Sequence, residues 1–177
     1  MNASAVPLVI ADGDIATTRL LARELGVVYP RVEIKVPETL FGTLLPGRPI
    51  VISRLCHPSL SWFPGYLAQH GWRYAYFLDD NFWELTDDVD PYLAPFYTNP
   101  AVVATLAAFV RGVAVVIVWS PLLRDYIAAK FPGITVEYAL TGVDFAKLPP
   151  ARPMVGRHDA DVIRVGYPTS RRPAVAA

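Results

Sequence analysis

The chain has 177 residues, enough for one medium domain that buries its own core without disulfides or metals. Hydrophobic residues make up 53% and charged residues 18%, which excludes a disordered polymer. Sixteen Lys and Arg against sixteen Asp and Glu give a formal net charge of +0, which argues against a general electrostatic grip on nucleic acid or anionic membrane.

The opening MNASAVPLVIADGD has no basic n-region and carries acid within its apolar stretch, so no secretory signal is expected. Val6 to Ala11 reads as the first strand. Asp12-Gly13-Asp14 follows, with Asp14 capping a helix from Ile15 to Leu25 and Gly26 stopping it at the C′ position. Val32 to Val36 alternates as a half-exposed strand, Pro37 to Gly47 is a loop, and Pro49 to Ser53 is a third strand. His57 to His70 contains a helix that Pro64-Gly65 is expected to interrupt. Tyr74 to Leu78 is a fourth strand, ending in Asp79-Asp80-Asn81. Thr86 to Asn99 is an acidic loop bearing Tyr92, Phe96 and Tyr97.

Ala101 to Trp119 is apolar and nearly long enough to span a bilayer, but Arg111-Gly112 sits at its middle. Asn99-Pro100 reads as a cap and first helical residue, and AVVIV as a short buried strand, so helix, turn, strand is expected and no transmembrane segment. Ser120-Pro121 starts another helix, running to about Phe131 with Leu122, Leu123, Tyr126 and Ile127 inward and Arg124 and Asp125 outward. Pro132-Gly133 ends it, and Ile134 to Leu140 is a sixth strand. The alternation of strands and helices predicts a doubly wound, Rossmann-like α/β domain over 1–143, with a mostly parallel sheet and helices on both faces. Pro149, Pro150 and Pro153 mark a linker over 144–161, and Val162 to Tyr167 opens a second domain over 162–177 that lacks the chain to build its own core. Cys56 is the only cysteine, so no internal disulfide can form and a cytoplasmic location is expected.

Ligand sites in such folds lie beyond the carboxyl ends of the strands. Asp79 and Asp80 fall there, as two adjacent carboxylates able to hold a cation or sugar hydroxyls; the competing reading is a solvated turn shaped by Asn81. Asp12 and Gly13 also follow a strand, and Gly13 lets backbone approach a ligand; the alternative is a plain strand-to-helix turn. His57 suits a general base toward an acceptor hydroxyl and Arg54 a partner for phosphate or carboxylate, against ordinary loop hydrogen bonding. Ser120 caps its helix, whose open N-terminus would also receive an anion. Of Trp62, Trp72, Trp83 and Trp119, Trp83 is best placed to stack on a sugar ring, being beside the acidic loop.

The ordered set YFLDDNFWEL, AVVIVWSPLLRDYI, LTGVD and IRVGYPTS resembles the N-terminal half of GT-B-fold glycosyltransferases of the family 4 type, over about residues 48 to 170. That resemblance implies an acceptor-side half of a two-lobed enzyme transferring a sugar from a nucleotide-sugar to a hydroxyl of a carbohydrate or glycan acceptor. Asp79, Asp80 and Asn81 would line the cleft, with Arg54 and His57 across from them and Asp80 and His57 as the catalytic pair. No cofactor is expected on this chain, because the nucleotide-sugar would sit on the donor domain, with a separate donor-domain protein as a partner; the chain alone would be inactive. Thr141-Gly142 replaces the family's usual Asn before the Val-Asp pair.

Two rival resemblances remain. A strand ending in LDDN is similar to the metal-binding segment of GT-A glycosyltransferases, and VPLVIADGD is similar to the acidic pocket of receiver-type signalling domains, although no lysine stands at the end of a later strand.

Overall fold

The computed structural model describes residues 6–12, 16–28, 33–35 and 47–139, all within the first of the two units into which the chain divides, Met1–Thr141. The strands are β1 (Leu8–Ala11), β2 (Glu33–Lys35), β3 (Ile50–Ser53), β4 (Tyr74–Leu78), β5 (Val115–Val118) and β6 (Val136–Tyr138). The helices are α1 (Ala16–Val28), α2 (Phe63–Gln69), α3 (Ala94–Tyr97), α4 (Pro100–Arg111) and α5 (Pro121–Lys130), with a 3-10 turn at Pro58–Leu60.

The six strands form one sheet in the order β2-β1-β3-β4-β5-β6, and every pairing is parallel. Parallel strands need covering on both faces, and β1 and β3 show it, each buried at all four positions. Because side chains alternate along a strand, the core divides in two. Leu8, Ile10, Ile52, Tyr76 and Val118 face α2, α4 and α5 through Leu67, Phe109 and Ile127. Val9, Val51 and Phe77 point the other way, toward Leu21 of α1. The chain is therefore doubly wound, with helices on both faces of a Rossmann-like sheet. β5 is more lopsided than its sequence suggests: Val116 and Val118 are fully buried, while Val115 and Ile117 are only half-buried.

Local chemistry explains where several helices begin. Asn99 Oδ1 accepts from the Ala101 amide at 2.9 Å and Ser120 Oγ from the Leu123 amide at 3.4 Å, each one residue before a proline whose missing N–H is no loss in the first turn. Pro64 does the same for α2, so Pro64-Gly65 opens that helix rather than interrupting it. Gly71 and Gly133, at φ 68° and 88°, take the left-handed conformation just past α2 and α5 that other residues adopt only with strain.

Four further expectations are corrected. α1 runs through Gly26 to Val28, because Gly26 is not in a left-handed conformation and so cannot form the expected cap. The acidic loop contains α3, seated by Asp90, whose Oδ1 accepts from the amides of Tyr92 and Leu93 at 3.1 Å each. Leu122 is 82% exposed, since Leu123 and Ile127 fill the buried face of α5. The sixth strand pairs only over Val136–Tyr138, at the sheet edge. Asp14 and the expected linker and second domain lie outside the described residues. Among the described residues no helix is long and apolar enough to cross a membrane, and Ala101 to Trp119 is divided between α4 and β5.

Candidate functional site

The strand order reverses at one place. From β1 the chain crosses to β2 on one side, and from β3 it proceeds to β4 on the other. The crevice beyond the carboxyl ends of β1 and β3 is the switch point where open α/β sheets hold ligands. Asp12 follows β1, Arg54 follows β3 and Asp79 follows β4, and the register Ala11↔Ser53↔Phe77 places these three strand ends side by side.

Arg54 is the hub. It is the one non-glycine with positive φ among the described residues, at 59°, and its amide donates to the Phe77 carbonyl at 3.1 Å. A left-handed conformation in a side-chain-bearing residue is strained and survives only where its surroundings hold it, which is common at binding sites. The turn directs the guanidinium inward. Nη1 lies 2.8 Å from Asp79 Oδ2 and 3.4 Å from Thr17 Oγ1, and the guanidinium carbon sits 5.2 Å from the centre of the Phe82 ring. Arg54 and Asp79 side chains are only 14% and 7% exposed. Burial works against the guanidinium's charge, but the neighbouring Asp79 and Tyr97 outweigh it, and the net direction of the Arg54 pKa is upward.

Tyr97 closes one wall, its ring stacked on Phe82 at 4.5 Å and 18°. Behind it lies Cys56, fully buried, whose thiol is pushed up to about 12 by burial and by the charge of Asp12, against the opposing influence of Tyr97 and Arg54. Such a thiol stays protonated and is no nucleophile. Thr18 Oγ1 and Ser53 Oγ, 3.4 Å apart and buried, tie the first turn of α1 to the end of β3.

The arrangement leaves two polar atoms unsatisfied. Asp79 Oδ1 and Asn81 Oδ1 are the only buried side-chain nitrogen or oxygen atoms among the described residues that lack a hydrogen-bond partner. Buried polar groups are nearly always satisfied, so two orphans within three residues at a strand's carboxyl end make this edge the candidate site.

The sequence-derived candidates separate under this geometry. Arg54 and Asp79 meet directly, and Asp12 lies close enough for its charge to be felt at Cys56. Asp80 is exposed while Asp79 turns in, so the two neighbouring carboxylates diverge. His57 is exposed and caps the 3-10 turn: its Nδ1 accepts from the Ser59 amide at 3.3 Å and lies 2.7 Å from Ser59 Oγ. Ser120 caps α5, and Trp83 packs against its end, 5.5 Å from Phe131 and under Lys130 Nζ at 5.8 Å. Gly13 lies outside the described residues. Thr17, Phe82 and Tyr97 escaped the sequence reading, because nothing in spacing links positions so far apart to Arg54.

A cavity of about 350 Å³ lined by Gly71, Trp72, Arg73, Gly112 and Val113 opens at the opposite edge, before β4 and β5. It contains no unsatisfied buried group, so the carboxyl edge is the better candidate site. Fold and site together define a Rossmann-like α/β domain with a buried ion pair beside its switch point. None of the protein-family models, curated proteins or solved structures compared with the chain matches it.

Proposed function

We propose that this chain is the acceptor-side domain of a GT-B-type glycosyltransferase, in which the hydroxyl-bearing acceptor sits at the carboxyl ends of β1, β3 and β4. The observation that supports this most is Asp79: a carboxylate fixed through one oxygen by Arg54, its other oxygen buried and without a partner, beside the switch point. An acceptor hydroxyl is the kind of donor that such an oxygen lacks, and a held carboxylate can take its proton as the hydroxyl attacks. In this reading Asp79, rather than His57 or Asp80, is the group nearest the chemistry. The nucleotide-sugar belongs to a donor domain, in the same polypeptide or a separate protein, and the described domain alone is inactive. A single buried thiol fits the reducing cytoplasm.

The GT-A-like alternative needs clustered metal ligands, and among the described residues no group of three or more His, Cys, Asp or Glu converges. The receiver-like alternative needs a lysine after a late strand, and β5 is followed by Trp119-Ser120.

Calorimetric titration with UDP, GDP and ADP, with and without manganese, combined with a glycan-array screen, tests the proposal. Carbohydrate binding without nucleotide binding supports it. Manganese-dependent binding of UDP overturns it in favour of the GT-A-like reading.

A further inference from the structure

At the opposite edge of the sheet, the amino ends of β4 and β5 meet the turns that follow α2 and α4. These turns line the cavity of about 350 Å³, a volume within the range of small-ligand sites. Backbone hydrogen bonds fix both turns. The amides of Gly71 and Trp72 donate to the carbonyls of Ala68 and Leu67 at 3.0 and 2.9 Å, and those of Gly112 and Ala114 to Ala108 and Tyr74 at 3.1 and 2.9 Å. Gly71 holds φ at 68°, and a Cβ there would meet nothing within 4 Å, so the space before it is open. The Trp72 indole is held as one wall by stacking on His70, 5.1 Å away at 17°. Arg73 is the only charged residue of the lining, and it is exposed. The other arginines with described side chains are all engaged: Arg23, Arg54 and Arg124 with carboxylates, Arg48 with the Val6 carbonyl, Arg111 with the Phe131 ring, and Arg19 as well. Among the described residues, Arg73 is the one arginine that makes no hydrogen bond, ion pair or ring contact. The stretches that supply the whole lining, Arg48 to Leu78 and Pro91 to Arg124, contain no Asp or Glu to compete for it. The carboxyl ends of α2 and α4 oppose an anion here, but each carries only about half a charge that fades within a turn. A guanidinium in direct contact brings a full charge and a fork of donors, so it prevails.

We infer that this cavity is a second binding site, for a small organic anion whose carboxylate or phosphate pairs with Arg73 and whose compact apolar body rests against Trp72 and Val113. Engaging Arg73 breaks no existing pair, whereas withdrawing Arg54 would strand a buried Asp79. The site lies at the other ends of the strands from the candidate acceptor site and does not depend on the acceptor-domain reading.

NMR titration of the isotope-labelled full chain tests this, with phenyl phosphate and benzoate as organic anions, inorganic phosphate as the bare anion and benzyl alcohol as the neutral analogue. Phenyl phosphate or benzoate should shift the amides of Gly71, Trp72, Arg73 and Val113 saturably, and the tighter of the two identifies the anionic group. Inorganic phosphate and benzyl alcohol should each bind at least about tenfold more weakly. Arg73→Gln should weaken the organic anion at least about tenfold, the worth of a charged hydrogen bond. Its melting temperature should not change, because the side chain has no partner in the fold. Ala68→Trp, at an exposed position of the lining, should block binding by filling the cavity while leaving every charge in place. Binding that survives either variant, equal binding of inorganic phosphate or benzyl alcohol, or shifts confined to other residues would overturn the inference. So would the absence of saturation by both organic anions below about 10 mM.

Discussion

Arg54 Nη1 lies 2.8 Å from Asp79 Oδ2, joining the carboxyl end of β3 to that of β4 through a pair almost wholly removed from water. Neither residue is satisfied without the other. The backbone of Arg54 holds a left-handed conformation in making the contact, and Asp79 keeps one oxygen unsatisfied.

The pair is therefore expected to respond unequally to single and double replacement. Arg54→Met or Asp79→Leu alone should destabilise the fold by about 3 kcal/mol, because each leaves a buried charge without its partner. The double variant should recover most of that loss, since two apolar side chains of similar volume need no pairing. Urea unfolding of the three variants measures the cycle; additive losses would show that the two charges are not coupled.

Gly112 is predicted to resist even alanine. A Cβ there would stand 2.8 Å from the Tyr74 hydroxyl, which donates to the Phe109 carbonyl at 2.7 Å. The tyrosine is buried and its ring lies edge-on to Phe109, so it has little room to yield. Gly112→Ala should destabilise by about 2 kcal/mol. Tyr74→Phe in the same background should relieve the clash, and thermal melts of the two variants will show whether it does.

The two proline-started helices provide a comparison of caps. Asn99 makes the shorter bond, 2.9 Å against 3.4 Å for Ser120, so Asn99→Ala should destabilise by about 1 kcal/mol and Ser120→Ala by less. If Ser120 instead receives an anionic ligand, its replacement will disturb ligand binding more than the unfolding midpoint.

Stability should be flat from neutral pH to about 9 and fall above it. The Cys56 thiol is raised from 9.0 to about 12, and the buried Tyr97 hydroxyl is also raised, chiefly by burial. The folded state thus binds these protons more tightly than the unfolded chain. Their contribution is complete below the unfolded thiol's value and is lost as pH climbs toward the folded one. Urea midpoints between pH 7 and 11 test the window. At pH 8 the native thiol, buried and protonated, should react with a disulfide reagent far more slowly than the unfolded one.

Much of the fold could be read from the sequence because its signals are local. Asn99-Pro100 and Ser120-Pro121 announce helix starts within a few residues, and LVIA and IVIS are apolar throughout because both faces of those strands are covered. Alternation of such elements already implies a parallel sheet and places the candidate ligand edge at Asp12, Arg54 and Asp79. Pro64-Gly65 misled because the same residues open a helix or break one, depending on which turn they occupy. Leu122 misled because hydrophobic identity does not say which side of α5 meets the sheet.

What only the tertiary structure decided is the site's internal division of labour. The sequence presents Asp79 and Asp80 as equals, and the turn after β4 buries one against Arg54 and leaves the other exposed. It gives no hint that Tyr97, in the acidic loop, becomes the last residue of α3 and stacks on Phe82 beside Arg54. Spacing along the chain determines which residues share a strand or a helix face. Pairing between residues 25 apart, as for Arg54 and Asp79, depends on sheet order and on which side chains can leave water together, and those are properties of the assembled fold.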